Sequence, residues 1–164
     1  MRIFGIAGWS GSGKTTLLRA LIPVLVERGV SVSTMKHAHH DFDLDTPGKD
    51  SYEHRRAGAT EVMIASANRW ALMHELRGAA EPSFEEQVKH MSPCDLLLVE
   101  GFKFAPIPKL EVWRAVTGEG LLHPNDPHIV AVASDAKVET KLPLLELNDA
   151  DGIAAFVLSE VGLA

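Results

Sequence analysis

The sequence of 164 residues has one cysteine, Cys94, which excludes an intrachain disulfide framework and a zinc site built from cysteine pairs. A reducing, cytoplasmic location is therefore expected. The formal net charge is −6, so no overall basic field exists to attract nucleic acid or an anionic membrane. The N-terminal run MRIFGIA is too short for a membrane span or a secretion signal. We expect an unprocessed soluble protein that binds neither nucleic acid nor membrane.

The hydrophobic content of 46% is enough to bury one substantial core, so a single domain over residues 1–164 is predicted. Residues 2–7 read as an apolar strand, 14–28 as a helix and 30–36 as a strand. This order is typical of a βαβ unit with parallel strands. The continuous apolar run at 95–100 predicts a strand that is buried on both faces. The predicted fold class is α/β, with three layers in which helices flank a mostly parallel sheet.

Two further segments, 69–76 and 109–116, are interpreted as extra antiparallel edge strands or as dimer elements. The first is expected to follow a strand at 61–65 after a turn at 66–68. A helix is predicted to begin near Ser83, because Ser83 and Glu86 have the spacing of a capping box. The closing third is predicted to hold strands at 128–133 and 144–147 and a helix at 150–161.

The stretch GWSGSGKTT carries the strongest functional signal. Gly8, Gly13, Lys14 and Thr15 satisfy the pattern GxxxxGK[ST], between a predicted strand and a predicted helix. The glycines allow a tight turn whose amides point inward, and the helix start adds positive charge toward a phosphate. Lys14 can reach the β- and γ-phosphates, and the Thr15 hydroxyl can complete a magnesium shell. A nucleotide-binding P-loop is predicted; the alternative is a glycine-rich turn without a ligand.

Glu100 closes the apolar strand at the sheet edge where ligands bind in open α/β folds. It is the candidate Walker B carboxylate, able to bind magnesium through water or to orient an attacking water. The alternative is a solvent-facing acid at a strand end. Asp95, at the other end of the same strand, is interpreted as a cap or turn residue.

Base selection is less evident, because the NKxD motif of guanine-specific P-loop proteins is missing. The nearest substitute is SDAK at 134–137, in which Asp135 could accept hydrogen bonds from the guanine edge. A helix or turn cap is an equally good interpretation of Asp135.

The segment 37–51 is a polar loop rich in histidine and aspartate. It has three interpretations: a switch that contacts nucleotide and magnesium, a transition-metal site that uses His37 and His39, or a solvated loop. The switch is preferred, with 43–51 sensing the γ-phosphate. Arg55 and Arg56, which follow the loop, could act across a dimer or be solvated charges.

Three blocks together resemble the MobB family of molybdopterin-guanine dinucleotide biosynthesis adaptors: GWSGSGKTTLL, MKHAHHDFDLDTPGKDSYEHRRAGA and DLLLVEGFK. The resemblance implies a GTP-binding, usually dimeric P-loop protein with weak intrinsic GTP hydrolysis. Its implied partner is the guanylyltransferase that attaches GMP to the molybdenum cofactor, and direct binding of molybdopterin is left open. It implies phosphate contacts from Gly11, Gly13, Lys14, Thr15 and Thr16 and a Walker B role for Glu100. Together with the reasoning from the residues, this predicts Lys14 and Glu100 as catalytic and Thr15 and Glu100 as Mg²⁺ ligands. Ser12 and Asp135 are predicted as further nucleotide contacts.

Three other functions are alternatives to this one. The nickel-enzyme maturation GTPases share the layout, but typically add a clear guanine motif and cysteine-bearing metal sites. Small-molecule kinases generally have a cation-rich lid, whereas 101–127 contains only Lys103, Lys109 and Arg114. A scaffold that is fixed by nucleotide binding without hydrolysis is the non-catalytic alternative.

Overall fold

The computed structural model describes residues 1–38 and 42–164, and the chain divides into two compact units. The sheet unit comprises residues 1–37 and 88–164, and the hairpin unit comprises residues 38–87. His39, His40 and Asp41, which belong to the predicted switch loop, lie outside the described residues. The single domain expected over the whole length stays a prediction.

The predicted elements are present with small changes at their ends. The strands are β1 (Arg2–Ala7), β2 (Val32–Lys36), β3 (Glu61–Ala65), β4 (Trp70–His74), β5 (Leu96–Glu100), β6 (Lys109–Trp113), β7 (Ile129–Ser134) and β8 (Leu144–Glu146). The α-helices are α1 (Lys14–Glu27), α2 (Asp50–Arg56), α3 (Phe84–Lys89) and α4 (Ala150–Glu160). Within the described residues, no helix is both long and apolar enough to cross a membrane.

The sheet unit is built on six strands in the order β2-β5-β1-β6-β7-β8, and every neighbouring pair is parallel. The predicted parallel α/β architecture is confirmed. The interpretation of 109–116 as an edge strand is wrong, because β6 pairs with both β1 and β7 inside the sheet. Its polar residues Lys109 and Glu111 are buried and paired with polar groups.

Helices α1 and α4 pack against each other and against the sheet. Leu21 and Leu25 of α1 and Ile153 of α4 are fully buried with Phe4 and Leu110 of the strands. All five residues of β5 are buried, as its apolar run predicts. Because β5 lies between β1 and β2, the carboxyl ends of these three parallel strands meet at one edge.

The hairpin unit contains β3 and β4, which form a separate antiparallel sheet with Glu61 opposite His74. The predicted capping box is present: Ser83 N donates to Glu86 Oε2 at 2.7 Å, and Glu86 N donates to Ser83 Oγ at 3.2 Å. The Arg55 guanidinium is held by Asp43 at 2.7 Å and by Asp45 at 2.8 Å. Arg55 is therefore a structural cation of this unit rather than a solvated charge.

Candidate functional site

The loop between β1 and α1 has a backbone that only glycine adopts readily. Gly11 and Gly13 have φ angles of 78° and 99°, in the left-handed region. Gly8 has a φ of 145°, and a Cβ atom there would lie 2.4 Å from the Val112 carbonyl oxygen. The three glycines of the motif thus allow a turn that a residue with a side chain would distort.

The start of α1 supplies backbone N–H groups for an anion. Gly13 is the N-cap and provides no side-chain cap, and Leu17 N donates the first bond of the helix, to Gly13 O. The preceding amides, at residues 14–16, lie before that bond and so have no intrahelical acceptor. A Cβ atom at Gly11 would meet nothing within 4 Å, so the loop is open on that side. This arrangement fits a phosphate group.

Two predicted contact residues on the loop differ in accessibility. Ser12 is 1% exposed, and among the described residues its hydroxyl has no hydrogen-bond partner. The Ser12 Oγ atom lies 2.7 Å from the position of a Cβ atom at Gly8, so it packs against the base of the loop. Thr16 is exposed in the first turn of α1. An exposed hydroxyl at a helix start is well placed for a ligand oxygen.

The Lys14 ammonium lies over the loop. Its Nζ atom donates to Gly8 O at 2.9 Å and to Trp9 O at 2.7 Å. Burial lowers the pKa of Lys14, Lys103 and Lys36 lower it further by repulsion, and the Glu100 carboxylate opposes these effects. The site therefore concentrates positive charge, which a polyanionic ligand such as a triphosphate would neutralise.

Glu100 and Thr15 meet at the carboxyl end of β5. The Thr15 hydroxyl donates to Glu100 Oε1 at 3.2 Å, and Lys36 Nζ lies 3.4 Å from the same oxygen. The Glu100 residue is 9% exposed, so it is not the solvent-facing acid that was its alternative interpretation. A carboxylate and a hydroxyl beside a phosphate loop are the hard oxygen donors that suit Mg²⁺.

Trp9 connects the loop to a second segment of the sheet unit. Its indole Nε1 donates to Gly120 O at 2.7 Å, and Lys103 Nζ lies 4.3 Å from the centroid of its ring. Lys103 is thereby held beside the phosphate loop by a cation–π contact. Sequence reasoning assigned no role in the site to Lys36 or Lys103, because their proximity depends on the order of the strands.

Asp135 lies directly after β7, where its carboxylate Oδ2 accepts from Arg114 Nε at 2.7 Å. Arg114 borders the loop, since its Cδ atom lies 3.8 Å from the position of a Cβ atom at Gly13. The candidate guanine acceptor is thus joined through Arg114 to the phosphate loop. Sequence reasoning named Arg114 only among the few cations of 101–127, which are too few for a kinase lid, and gave it no role in the site. Asp95, in contrast, accepts from Ser31 N at 2.9 Å and from Ser31 Oγ. These bonds join the residue before β5 to the residue before β2, so they are long-range contacts and not those of the expected cap or turn residue.

The histidine-rich loop is described only in part. His37 contacts Phe102, with ring centroids 4.9 Å apart. In residues 1–38 and 42–164, no group of three His, Cys, Asp or Glu side chains could hold a metal ion. Both the metal-site and the switch interpretations depend on residues that include 39–41, and they stay predictions.

An open cavity of about 770 Å³ lies elsewhere in the sheet unit, and its lining includes His123, Asp126, Thr140 and Lys141. None of the predicted site residues lines it. His123 is oriented there by the buried Glu111, whose Oε2 atom lies 3.1 Å from His123 Nδ1. The cavity is thus distinct from the phosphate loop, which is an open surface turn.

Comparisons with known proteins extend over nearly the whole chain. The family model MobB, described as molybdopterin guanine dinucleotide synthesis protein B, matches residues 3–135. The molybdopterin-guanine dinucleotide biosynthesis adapter protein of Escherichia coli (strain K12) is 46% identical over 161 residues, which cover 95% of this chain and 91% of the relative. The corresponding adapter of Haemophilus influenzae is 41% identical, with coverages of 94% and 86%. A crystal structure of molybdopterin-guanine biosynthesis protein B aligns with a TM-score of 0.69 at 28% identity, covering 96% of this chain and 99% of that one.

Proposed function

The chain belongs to the MobB family of molybdopterin guanine dinucleotide synthesis proteins, and on that premise we propose that it is a GTP-binding adapter. In this proposal it assists a cytoplasmic guanylyltransferase in attaching GMP to molybdopterin. The observation that carries the proposal is the meeting of the glycine loop, Lys14, Thr15 and Glu100 at one edge of the sheet. The similarity to adapter proteins supports the adapter role, and the residues at this edge of the sheet support nucleotide binding.

The residues of the loop divide the work of holding a triphosphate. The backbone amides that start α1 bind phosphate oxygens. Lys14 releases the two loop carbonyl oxygens to which it donates and binds the β- and γ-phosphates instead. Thr15 and Glu100 would hold Mg²⁺, which supplies charge neutralisation between the phosphates when it is bound. Lys14 and Glu100 are thus the residues proposed to act on the reacting phosphate.

Hydrolysis is proposed to be weak. Arg55, one of two candidates to reach a nucleotide across a dimer, is held within its own unit by two aspartates. A slow GTPase suits an adapter in which the bound state, rather than turnover, controls the partner enzyme. Arg56 stays the candidate for a catalytic cation from a second subunit.

Guanine selection is assigned to Asp135. Its carboxylate follows β7 at the same edge of the sheet as the loop, and the bond from Arg114 Nε engages only Oδ2 among the described contacts. A carboxylate oxygen is a strong acceptor for the guanine N–H groups. In this proposal the base lies beside Arg114.

The hairpin unit is proposed to form a homodimer contact. Met63, Ala65, Trp70 and Leu72 lie on one face of the hairpin, because Met63 opposes Leu72 and Ala65 opposes Trp70. We call these four residues the apolar hairpin face. Met63 is 62% exposed and Trp70 is 64% exposed, and exposed apolar surface of this kind is typical of protein interfaces.

The proposed function is tested first by calorimetric titration of the protein with GTP and with ATP, each with Mg²⁺. We expect GTP to bind at least about tenfold more tightly, a difference of about 1.4 kcal/mol. Lys14→Ala should lose most of the triphosphate affinity and keep the far-ultraviolet circular dichroism of the wild type, because Lys14 packs on the loop and not in the core. Lys141→Ala, on an exposed lysine outside the loop, is the matched control.

The adapter role is tested in the same series. Adding the wild-type protein to a reaction of guanylyltransferase, GTP and molybdopterin should raise the yield of the dinucleotide, and adding Lys14→Ala should not.

Two outcomes would contradict the proposed function. Equal or tighter binding of ATP than of GTP would contradict the GTP assignment. A yield that Lys14→Ala raises as well as the wild type would contradict a nucleotide-dependent adapter.

A further inference from the structure

Lys36 is brought to the phosphate site by the pairing of β2 with β5. It is the last residue of β2, and it pairs with Glu100, the last residue of β5. Lys36 Nζ lies 3.4 Å from Glu100 Oε1. The Lys36 side chain is 60% exposed, whereas that of Glu100 is 11% exposed. A mobile ammonium on a long stem thus faces a fixed carboxylate.

The oxygen that Lys36 contacts is the one that a divalent cation would use. Glu100 Oε1 also accepts from the Thr15 hydroxyl at 3.2 Å, so the two candidate metal ligands converge there. A divalent cation bound to these oxygens repels an ammonium at the same carboxylate and offers the carboxylate twice the charge. The metal and Lys36 therefore compete for Glu100.

An ammonium displaced from Glu100 stays beside the phosphates. Lys36 and Thr15 contact the same Glu100 oxygen, and Thr15 directly follows Lys14, so both lysines border one site. The exposed stem leaves the ammonium free to move, and a phosphate oxygen is a strong acceptor for it. The terminal phosphate is the part of a nucleotide that approaches Lys14, Thr15 and the metal.

We propose that Lys36 is a specificity-determining residue of the phosphate site, which gives up Glu100 to a divalent cation and then binds the terminal phosphate of a nucleoside triphosphate. This inference rests on the proposed function and adds a mechanism to it. Metal binding releases the cation that recognises the γ-phosphate, so metal and triphosphate favour each other. A diphosphate, which lacks that group, gains nothing from the release.

The first measurement uses calorimetry with saturating Mg²⁺, and compares a non-hydrolysable GTP analogue with GDP. Lys36→Met should weaken binding of the analogue by at least about tenfold and binding of GDP by less than about threefold. Lys36→Arg keeps the charge and should retain the preference for the analogue. Lys141→Met, which removes an exposed lysine outside the site, should change neither affinity.

The second measurement uses Mn²⁺ without nucleotide, followed by the electron paramagnetic resonance signal of the free ion. Lys36→Met should bind Mn²⁺ more tightly than the wild type, because the competing ammonium is gone, and Glu100→Gln should bind it more weakly than either. Equal losses for the analogue and GDP, or unchanged Mn²⁺ binding, would overturn the proposal. If the wild type binds no guanine nucleotide, the proposed function is wrong. The Mn²⁺ affinities of the wild type and Lys36→Met would still test whether Lys36 and the metal compete for Glu100.

Discussion

Gly13 illustrates how a single position controls both the loop and the helix start. Its φ of 99° lies in the left-handed region, and a Cβ atom there would meet only the Arg114 Cδ atom, at 3.8 Å. Backbone strain, not lack of space, therefore makes glycine necessary. Gly13→Val should lower the free energy of unfolding by about 1–3 kcal/mol and abolish nucleotide binding, because relief of the strain moves the amides. Urea unfolding and calorimetry measure the two effects.

The control for this substitution is Gly29→Val. Gly29 follows the far end of α1 and also combines a positive φ, of 81°, with open space around a Cβ atom. It should lose a similar amount of stability and keep nucleotide affinity. Equal affinities for the Gly13→Val variant and the wild type would show that the loop does not need its left-handed turn.

At the residue scale, sequence motifs predicted the site residues that are identified by their neighbours in the sequence. Lys14 and Thr15 follow the glycine loop directly, and Glu100 ends an apolar run, so all three could be placed on a strand–loop–helix frame. Lys36 and Arg114 could not be placed. Lys36 meets Glu100 only because β2 lies beside β5, and no short sequence pattern specifies that order.

At the element scale, β6 shows that the polarity pattern of a strand does not fix its position in a sheet. Its residues KLEVW alternate polar and apolar side chains, which is typical of a strand with one face in water. Lys109 is 1% exposed and Glu111 is fully buried, because loops of the sheet unit supply partners for both charges. Gly5 on β1 makes room, since a Cβ atom there would lie 2.4 Å from Lys109 Cγ. Binary pattern cannot distinguish a solvated charge from a buried, paired one.

Lys109 carries the prediction that belongs to this element. Its Nζ atom donates to Lys103 O at 2.8 Å and Ala105 O at 3.0 Å, and lies 2.6 Å from Asp126 Oδ2. Lys109→Met removes the cation paired with Asp126 and the side-chain donor to both carbonyls, and should lower the free energy of unfolding at neutral pH by about 3 kcal/mol. The free energy is measured by urea unfolding.

The same contact predicts a pH dependence. Burial is the largest single effect and would raise the pKa of Asp126, but the hydrogen bonds from Lys109 and His128 N and the nearby positive charges together outweigh it, so the pKa is lowered. A lowered pKa contributes stability that is fully present above the ordinary value of about 4 and is lost as the pH falls through the folded value. The difference between wild type and Lys109→Met should therefore shrink between neutral pH and about pH 3. A constant difference over this range would contradict the ion pair.

At the scale of the whole molecule, the hairpin unit carries the proposed homodimer contact. A two-stranded sheet is marginally stable alone, and β3 and β4 pair only with each other among the described strands. The apolar hairpin face leaves Met63, Trp70 and Leu72 exposed, the last at 44%. Such a face costs solubility unless it is covered, and a second copy of the same face would bury it by two-fold symmetry.

Self-association through this face predicts the mass of the protein in solution. The wild type should have the mass of two chains by analytical ultracentrifugation at micromolar concentration, and Met63→Glu that of one chain, because a carboxylate at the centre of the face would be buried unpaired. Val26→Glu is the matched control, since Val26 is 55% exposed on α1 in the sheet unit and should keep the dimer. Unchanged circular dichroism would show that Met63→Glu is folded. A two-chain mass for that folded variant, or a one-chain mass for the wild type, would rule out the hairpin as the dimer contact.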